Sequence, residues 1–134
     1  MTSCTVPVLE TECDVRERIS DLVALVQQGR IVDAIERFYD DDVTMRENLN
    51  PATVGKAANL EREAGFQRWV AEWHHVRVPA VLVDGDRAVI HWDLEYTSTD
   101  GKRWRFDQLA FQRWNDGRIV EERFVYDPAT TQIG

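Results

Sequence analysis

The sequence predicts an α+β fold in which three N-terminal helices cover the concave face of a curved, mostly antiparallel sheet. In the first half of the chain, apolar residues recur at helical spacing. In the second half, three long runs rich in aromatic and aliphatic residues (87–98, 102–114 and 118–127) have the composition of strands. Turn signals ending in Gly101 and Gly117 join these runs into an antiparallel meander. Helices followed by such a meander are typical of α+β domains.

The helices can be assigned from their start and stop signals. Residues 1–13 are expected to form a flexible arm, and residues 14–134 a single domain. Asp14, with Glu17 three positions later, resembles a capping box, and Gly29 ends the apolar pattern that follows. The second and third helices are expected at residues 31–39 and 55–73.

Shorter extended segments complete the predicted order of elements. Val43, Met45 and Glu47 alternate with polar residues, which indicates a short strand after the second helix. Residues 74–83 form another predicted strand, in which Pro79 marks an edge or a bulge.

Composition excludes several classes of function. The chain has 134 residues, a formal net charge of -8 and a pI near 4.8, so it lacks the basic surface that nucleic acids and anionic membranes require. No apolar run is long enough for a membrane helix, and no basic leader precedes an apolar segment. We therefore expect a soluble, cytoplasmic protein.

The two cysteines, Cys4 and Cys13, lie in the predicted arm. Two reduced thiols are the favoured interpretation, although a disulfide between them is also compatible with the sequence. No cluster of Cys and His has the spacing of a zinc site, so no metal is expected, and no cofactor is predicted.

Two local motifs point to a known family. The first is F-Y-D-D-D-V-T-M-R-E over residues 38–47, and the second runs from Gly101 to W-N-D-G-R-I, ending at Ile119. Together with the element order, they resemble the SnoaL-like polyketide cyclase and ketosteroid isomerase group of the nuclear-transport-factor-2-like (cystatin-like) superfamily. The resemblance implies a cone-shaped α+β barrel, but it does not define one activity because the superfamily contains many enzymes and non-enzymes.

The resemblance also implies which residues could act. The carboxylate that transfers the proton in the steroid isomerases corresponds to Glu47. Their two oxyanion donors correspond to Leu22 and Ala110, and the aspartate of the superfamily's epoxide hydrolases corresponds to Phe124. Because those groups are replaced by apolar side chains, neither steroid isomerase nor epoxide hydrolase activity is expected.

Strand alternation, placed in register by the resemblance, predicts the lining of a ligand cavity. The candidate acid–base residues are Glu47, His91 and Asp93. The candidate substrate-binding residues share the expected concave face or its rim: Glu95, Phe106, Gln108, Gln112, Glu122, Phe124, Tyr126 and Trp69. The opposite face would be apolar, with Trp92, Leu94, Tyr96, Leu109, Phe111 and Val125. That face predicts a homodimer formed through the sheets.

Two alternatives remain open from the sequence. A register one residue different would place Trp92, Leu94 and Tyr96 inside, with Arg105 and Asp107 from the next strand. The expected function is binding of a small, partly apolar molecule with cofactor-free acid–base catalysis of the isomerase, cyclase or dehydratase type. The alternative function is a non-catalytic ligand-binding or dimeric interaction module.

Overall fold

A computed structural model describes residues 7–134, with side chains from residue 11 onward. Three helices and six strands follow one another along the chain: α1 (Pro7–Gln27), α2 (Ile31–Phe38), β1 (Tyr39–Glu47), β2 (Thr53–Val54), α3 (Lys56–Trp69), β3 (Val70–Asp84), β4 (Arg87–Ser98), β5 (Arg103–Asn115) and β6 (Arg118–Val125). A short 3-10 helix, Pro128–Thr130, follows β6. The α+β architecture predicted from the sequence is confirmed.

The six strands form one sheet in the order β2-β1-β6-β5-β4-β3. β1 and β6 run parallel, and every other neighbouring pair is antiparallel. The long edge strand β3 changes register against β4 at three points, one of them between Arg77 and Ala80, where Pro79 lies. Such irregularities bend a strand, and an edge or bulge is where a proline is tolerated, as the sequence predicted.

Several boundaries differ from the predicted ones. Helix α1 begins at Pro7, so Asp14 lies inside the helix and does not cap it. Cys13 is disulfide-bonded, and the expectation of two reduced thiols is therefore wrong for this residue. Cys4 and the first part of the predicted arm lie outside the described residues.

The hydrophobic core lies between the helices and one face of the sheet. Val15, Ile19 and Leu22 of α1 lie on one stripe of that helix and are buried. They belong to one cluster with buried residues of α2, β1, β4, β5 and β6, including Ala34, Ile35, Phe38, Val43, Met45, Ile90, Ala110 and Ile119. The face of the sheet that meets this cluster is called the inner face below.

The strand pairing decides which side chains share the inner face. Ile90 pairs with Ala110, Trp92 pairs with Gln108, and Leu94 pairs with Phe106. Because alternate residues point to opposite faces, the even-numbered residues of β4 and β5 lie inside. The residues predicted for the inner face are therefore correct on β5 and β6, but on β4 the prediction is shifted by one residue.

Candidate functional site

The inner face is open to solvent at one part and closed at another. Ala88, Ile90 and Ala110 are fully buried beneath the helices. Other inner residues are only half-buried, and we call this group the mouth: Glu47, Phe106, Gln108, Phe124 and Tyr126. The mouth combines aromatic side chains with a carboxylate, which is the composition expected where a partly apolar molecule binds.

Glu47 and Tyr126 form a hydrogen-bonded pair in the mouth. The Tyr126 hydroxyl donates to Glu47 Oε1 at 3.1 Å. Asn48 fixes the ends of the two strands, because its Oδ1 accepts from the Tyr126 amide and its own amide donates to the Phe124 carbonyl. Burial, followed by the Glu47 charge, raises the pKa of Tyr126 to about 12, so Tyr126 stays a proton donor at neutral pH.

A second carboxylate, Glu122, lies deeper on the same face. It accepts hydrogen bonds from the Tyr39 hydroxyl and from Gln112 Nε2, the latter at 2.6 Å. Gln112 is oriented by Trp114, whose indole N–H donates to Gln112 Oε1 at 3.0 Å. Burial raises the pKa of Glu122 to about 7, even though both hydrogen bonds favour the charged form.

Helix α3 adds a third carboxylate and a guanidinium. Asn59 and Glu63 are one helical turn apart and are buried. Arg62 Nη2 lies 3.4 Å from Glu63 Oε1. Burial raises the pKa of Glu63 against the opposing charge of Arg62, and the charge of Glu47 raises it further. Glu47, Glu63, Glu122 and Arg62 are therefore electrostatically linked across one region of the inner face.

An aromatic wall continues from the mouth toward β3. Tyr96 is its centre, with Phe66, Trp73 and Phe106 each within 6.1 Å between ring centroids. Trp69, predicted to line the site, contacts Tyr96 and Trp104 in this wall. The ring of Tyr126 lies 5.0 Å from that of Phe106, so the wall and the carboxylate pair are contiguous.

Three predicted site residues do not reach the inner face. His91, Asp93 and Glu95 lie on the outer face, because the neighbouring apolar residues of β4 enter the core. Asp93 accepts two hydrogen bonds from Arg105 and contacts His75 Nε2 at 3.0 Å. The bonds from Arg105 lower the pKa of Asp93. The expectation that these residues line a cavity is wrong: on the outside of the sheet, His91 contacts Asp107, and Asp93 contacts Arg105 and His75.

The outer face also carries an open groove of about 950 Å³. Its apolar lining includes Leu82, Val89, Phe111 and Val125, and Leu82 and Phe111 are 66% and 45% exposed. The predicted apolar outer face is therefore right for Phe111, Leu109 and Val125. The same prediction is wrong for Trp92, Leu94 and Tyr96, which lie on the inner face.

Sequence reasoning missed Tyr39, Arg62 and Glu63. Tyr39 was assigned to the end of a helix, whereas it begins β1 and is buried against Glu122. On α3, Asn59, Glu63 and Phe66 recur at helical spacing, so the sequence shows that they share one stripe of the helix but does not show that this stripe faces the sheet. Among the residues from 11 onward, no group of His, Cys, Asp and Glu is arranged to hold a metal ion.

Comparison with solved structures confirms the fold. A protein from Mesorhizobium loti, named as a SnoaL-like polyketide cyclase, is 26% identical over 82% of this chain and 97% of its own, with a TM-score of 0.73. An LEH-like epoxide hydrolase from M. tuberculosis is 15% identical over 89% and 86%, with a TM-score of 0.74. TerC, co-crystallised with polyporic acid, is 20% identical over 87% and 93%, with a TM-score of 0.73.

Curated proteins gave no match to the chain. Within residues 7–134, none of the helices is both long and apolar enough to cross a membrane. The SnoaL-like domain family matches residues 19–122, which include the inner face from α1 to Glu122. With this match over most of its length, and with the cone of helices and curved sheet, the chain belongs to the SnoaL-like domain family.

Proposed function

We propose that this protein binds a small, partly apolar molecule at the mouth and exchanges a proton with it through Glu47, without a cofactor. The observation that supports this best is the hydrogen bond between Glu47 and Tyr126 beside the ring of Phe106, with Phe124 opposite Glu47 in the pairing of β1 and β6. A half-buried carboxylate next to apolar surface can meet a carbon acid from which water is partly excluded.

The surroundings of Glu47 suit a general base. Its neighbour Tyr126 is a neutral donor that orients the carboxylate and can return a proton to a substrate oxygen. Burial raises the pKa of Glu63 and raises that of Glu122 to about 7, so these two groups add less negative charge beside Glu47 than two ordinary carboxylates would. A molecule with an acidic C–H group beside a carbonyl is the matching substrate type.

Exchange of the α-hydrogens of 2-tetralone in D₂O tests this proposal directly. We expect the wild-type protein to accelerate exchange above the buffer rate, and Glu47→Gln to return it to that rate, as followed by proton NMR. Glu121→Gln is the matched control, because Glu121 is exposed and paired with Arg113 on the outer face. Equal exchange by Glu47→Gln and the wild type would exclude Glu47 as the base.

The alternative, a non-catalytic binding module, makes a different prediction. In that case 2-tetralone would shift the NMR signals of Phe106 and Tyr126 in both the wild type and Glu47→Gln, with no exchange above buffer in either. A cyclase and an epoxide hydrolase are named among proteins of this fold, which supports small-molecule chemistry but selects no reaction. A cytoplasmic location stays a prediction.

We also propose that two copies of the chain associate through the outer faces of their sheets. The groove exposes Leu82 and Phe111 next to the partly exposed Leu109 and Val125. A contiguous apolar surface on a sheet is usually covered by a partner, and a symmetric dimer covers both copies at once.

Phe111→Arg is expected to convert a dimer into a monomer, because it places a charge at the centre of this apolar surface. The mass measured by light scattering after size-exclusion chromatography reports the change. Leu49→Arg is the control, since Leu49 is 77% exposed but lies in the turn after β1. A wild-type protein that is monomeric at micromolar concentration would refute the dimer and leave the proton-transfer proposal intact.

A further inference from the structure

Arg62 lies among the ionisable groups of the site but makes only long hydrogen bonds to them. Its Nη2 is 3.4 Å from Glu63 Oε1 and 3.5 Å from Asn59 Oδ1, at the long limit for a hydrogen bond. Its Nε is buried and has no hydrogen-bond partner. A guanidinium offers five N–H donors, so most of the donor capacity of Arg62 is unused.

An unused buried donor is costly and calls for an explanation. Leaving a buried polar group unpaired is destabilising, and more so when the group is charged. The side chain of Arg62 is 33% exposed although its Nε is buried, so part of this side chain remains reachable from solvent. The arrangement is that of a cation which is held in place on one side and open to a further acceptor on the other.

The charge of Arg62 reaches the groups that would surround a substrate. Burial raises the pKa of Tyr39, Tyr126 and Glu122, and the positive charge of Arg62 acts in the opposite direction on all three. Tyr126 is the donor in the mouth that contacts Glu47. The Arg62 charge thus acts on Tyr126, the direct neighbour of Glu47, which supports a role for Arg62 toward a charge that forms beside Glu47.

The resemblance to the steroid isomerases implies that their oxyanion donors correspond to Leu22 and Ala110, which are apolar here. Leu22 and Ala110 are both buried in the hydrophobic core, so neither can stabilise a negative oxygen. Removing a proton beside a carbonyl leaves the negative charge on that oxygen, and without a partner for the charge the barrier to proton removal rises. If Glu47 is the base, another group has to provide this stabilisation.

We propose that Arg62 binds the substrate oxygen on which negative charge forms when the proton is removed. This inference rests on the proposed function. Glu47 takes the α-proton; the C–H electron pair forms the new C=C bond; and the C=O π pair moves to oxygen, which Arg62 receives as an enolate. Reprotonation at carbon or oxygen returns the proton and regenerates the carboxylate.

Glu63 does not prevent this role. Its carboxylate lies 3.4 Å from Arg62, but burial raises the pKa of Glu63, which weakens its competition with a bound anion for the guanidinium. Asn59 keeps the guanidinium positioned in either case, because it is itself held through Nδ2 by the carbonyls of Thr53 and Gly55. The same guanidinium would then select an anion over a neutral molecule of equal shape.

A pair of probes that differ only in charge tests the proposal. 2-Naphthoate carries a carboxylate and 2-naphthamide is its neutral counterpart, and both dissociation constants can be followed by NMR at the signals of Phe106 and Tyr126. We expect the wild type to bind the anion about tenfold more tightly, which is the order of magnitude for one charge-assisted hydrogen bond. Arg62→Gln should abolish this preference, and Arg62→Lys should retain part of it.

Arg46→Gln is the matched control. Arg46 also has a buried Nε without a partner, but it lies on the outer face, opposite Arg123 in the pairing of β1 and β6. Its replacement should leave the preference unchanged. If both probes shift the mouth signals with equal affinity in the wild type, the role of Arg62 is refuted while the proposed binding site stands. If neither probe shifts those signals, both proposals fail.

Discussion

Glu122→Gln is expected to remove about 3 kcal/mol of pH dependence from the free energy of unfolding between pH 4.5 and pH 8. In the wild type, burial raises the pKa of Glu122 from 4.5 to about 7. The unfolded chain releases this proton near pH 4.5 and the folded protein only near pH 7, so the wild type loses stability as the pH rises through this interval. Glutamine does not titrate, so the variant lacks this loss of stability between pH 4.5 and pH 8.

The hydrogen bonds of Glu122 show why the free energy of unfolding has to be compared between variant and wild type at two pH values. Gln112 donates to Glu122 and cannot reverse its amide freely, because its Oε1 accepts from Trp114. A glutamine at position 122 would bring two NH₂ groups together or lose the bond to Tyr39. That mismatch costs a similar amount at every pH. Comparing variant with wild type at both pH values cancels it.

Urea unfolding at pH 4.5 and pH 8 gives the required free energies. Relative to the wild type, Glu122→Gln should gain about 3 kcal/mol on going to the higher pH. Glu121→Gln is the neighbouring control and should change by less than about 1 kcal/mol, because the Glu121–Arg113 pair is a surface ion pair. Identical pH dependence for Glu122→Gln and the wild type would mean that Glu122 is ionised in the folded protein at neutral pH.

The elements of the fold were predictable because their signals are local. The turn at Asn115-Asp116-Gly117 joins β5 to β6, and both Asp116 and Gly117 adopt positive φ, which the residue types in the sequence anticipate. Helix α2 runs over Ile31–Phe38 as its apolar spacing indicated. The added strand β2, only Thr53–Val54, was not predicted, because two residues show no periodicity.

The site was only partly predictable because it depends on pairing between distant segments. Glu47, Phe106, Gln108 and Tyr126 were placed on the inner face, and the structure brings them there. Arg62 and Glu63 come from a helix whose inner stripe is polar, and a charged stripe on a helix ordinarily indicates solvent. Only the packing of α3 against β1 and β2 shows that these charges are enclosed.

Strand β4 shows how local pattern and family resemblance can disagree. Ala88, Ile90 and Trp92 alternate with Val89 and His91, and the apolar count alone favoured Trp92 as an inner residue. The resemblance favoured His91, and the structure supports the apolar pattern. Burial of one large apolar side chain contributes roughly 1.5–3 kcal/mol, so moving Trp92 outward would cost more than the surface contact of His91 with Asp107 returns.

Trp92→Ala is therefore expected to lower the free energy of unfolding by about 3–5 kcal/mol, since it removes a 5% exposed ring from the core and leaves a cavity. His91→Ala, one residue earlier, should cost less than about 1 kcal/mol, because the contact of His91 with Asp107 lies at the surface. Urea unfolding of both variants at one pH gives the comparison. The opposite ranking would place His91 inside the cone and restore it as a candidate beside Glu47.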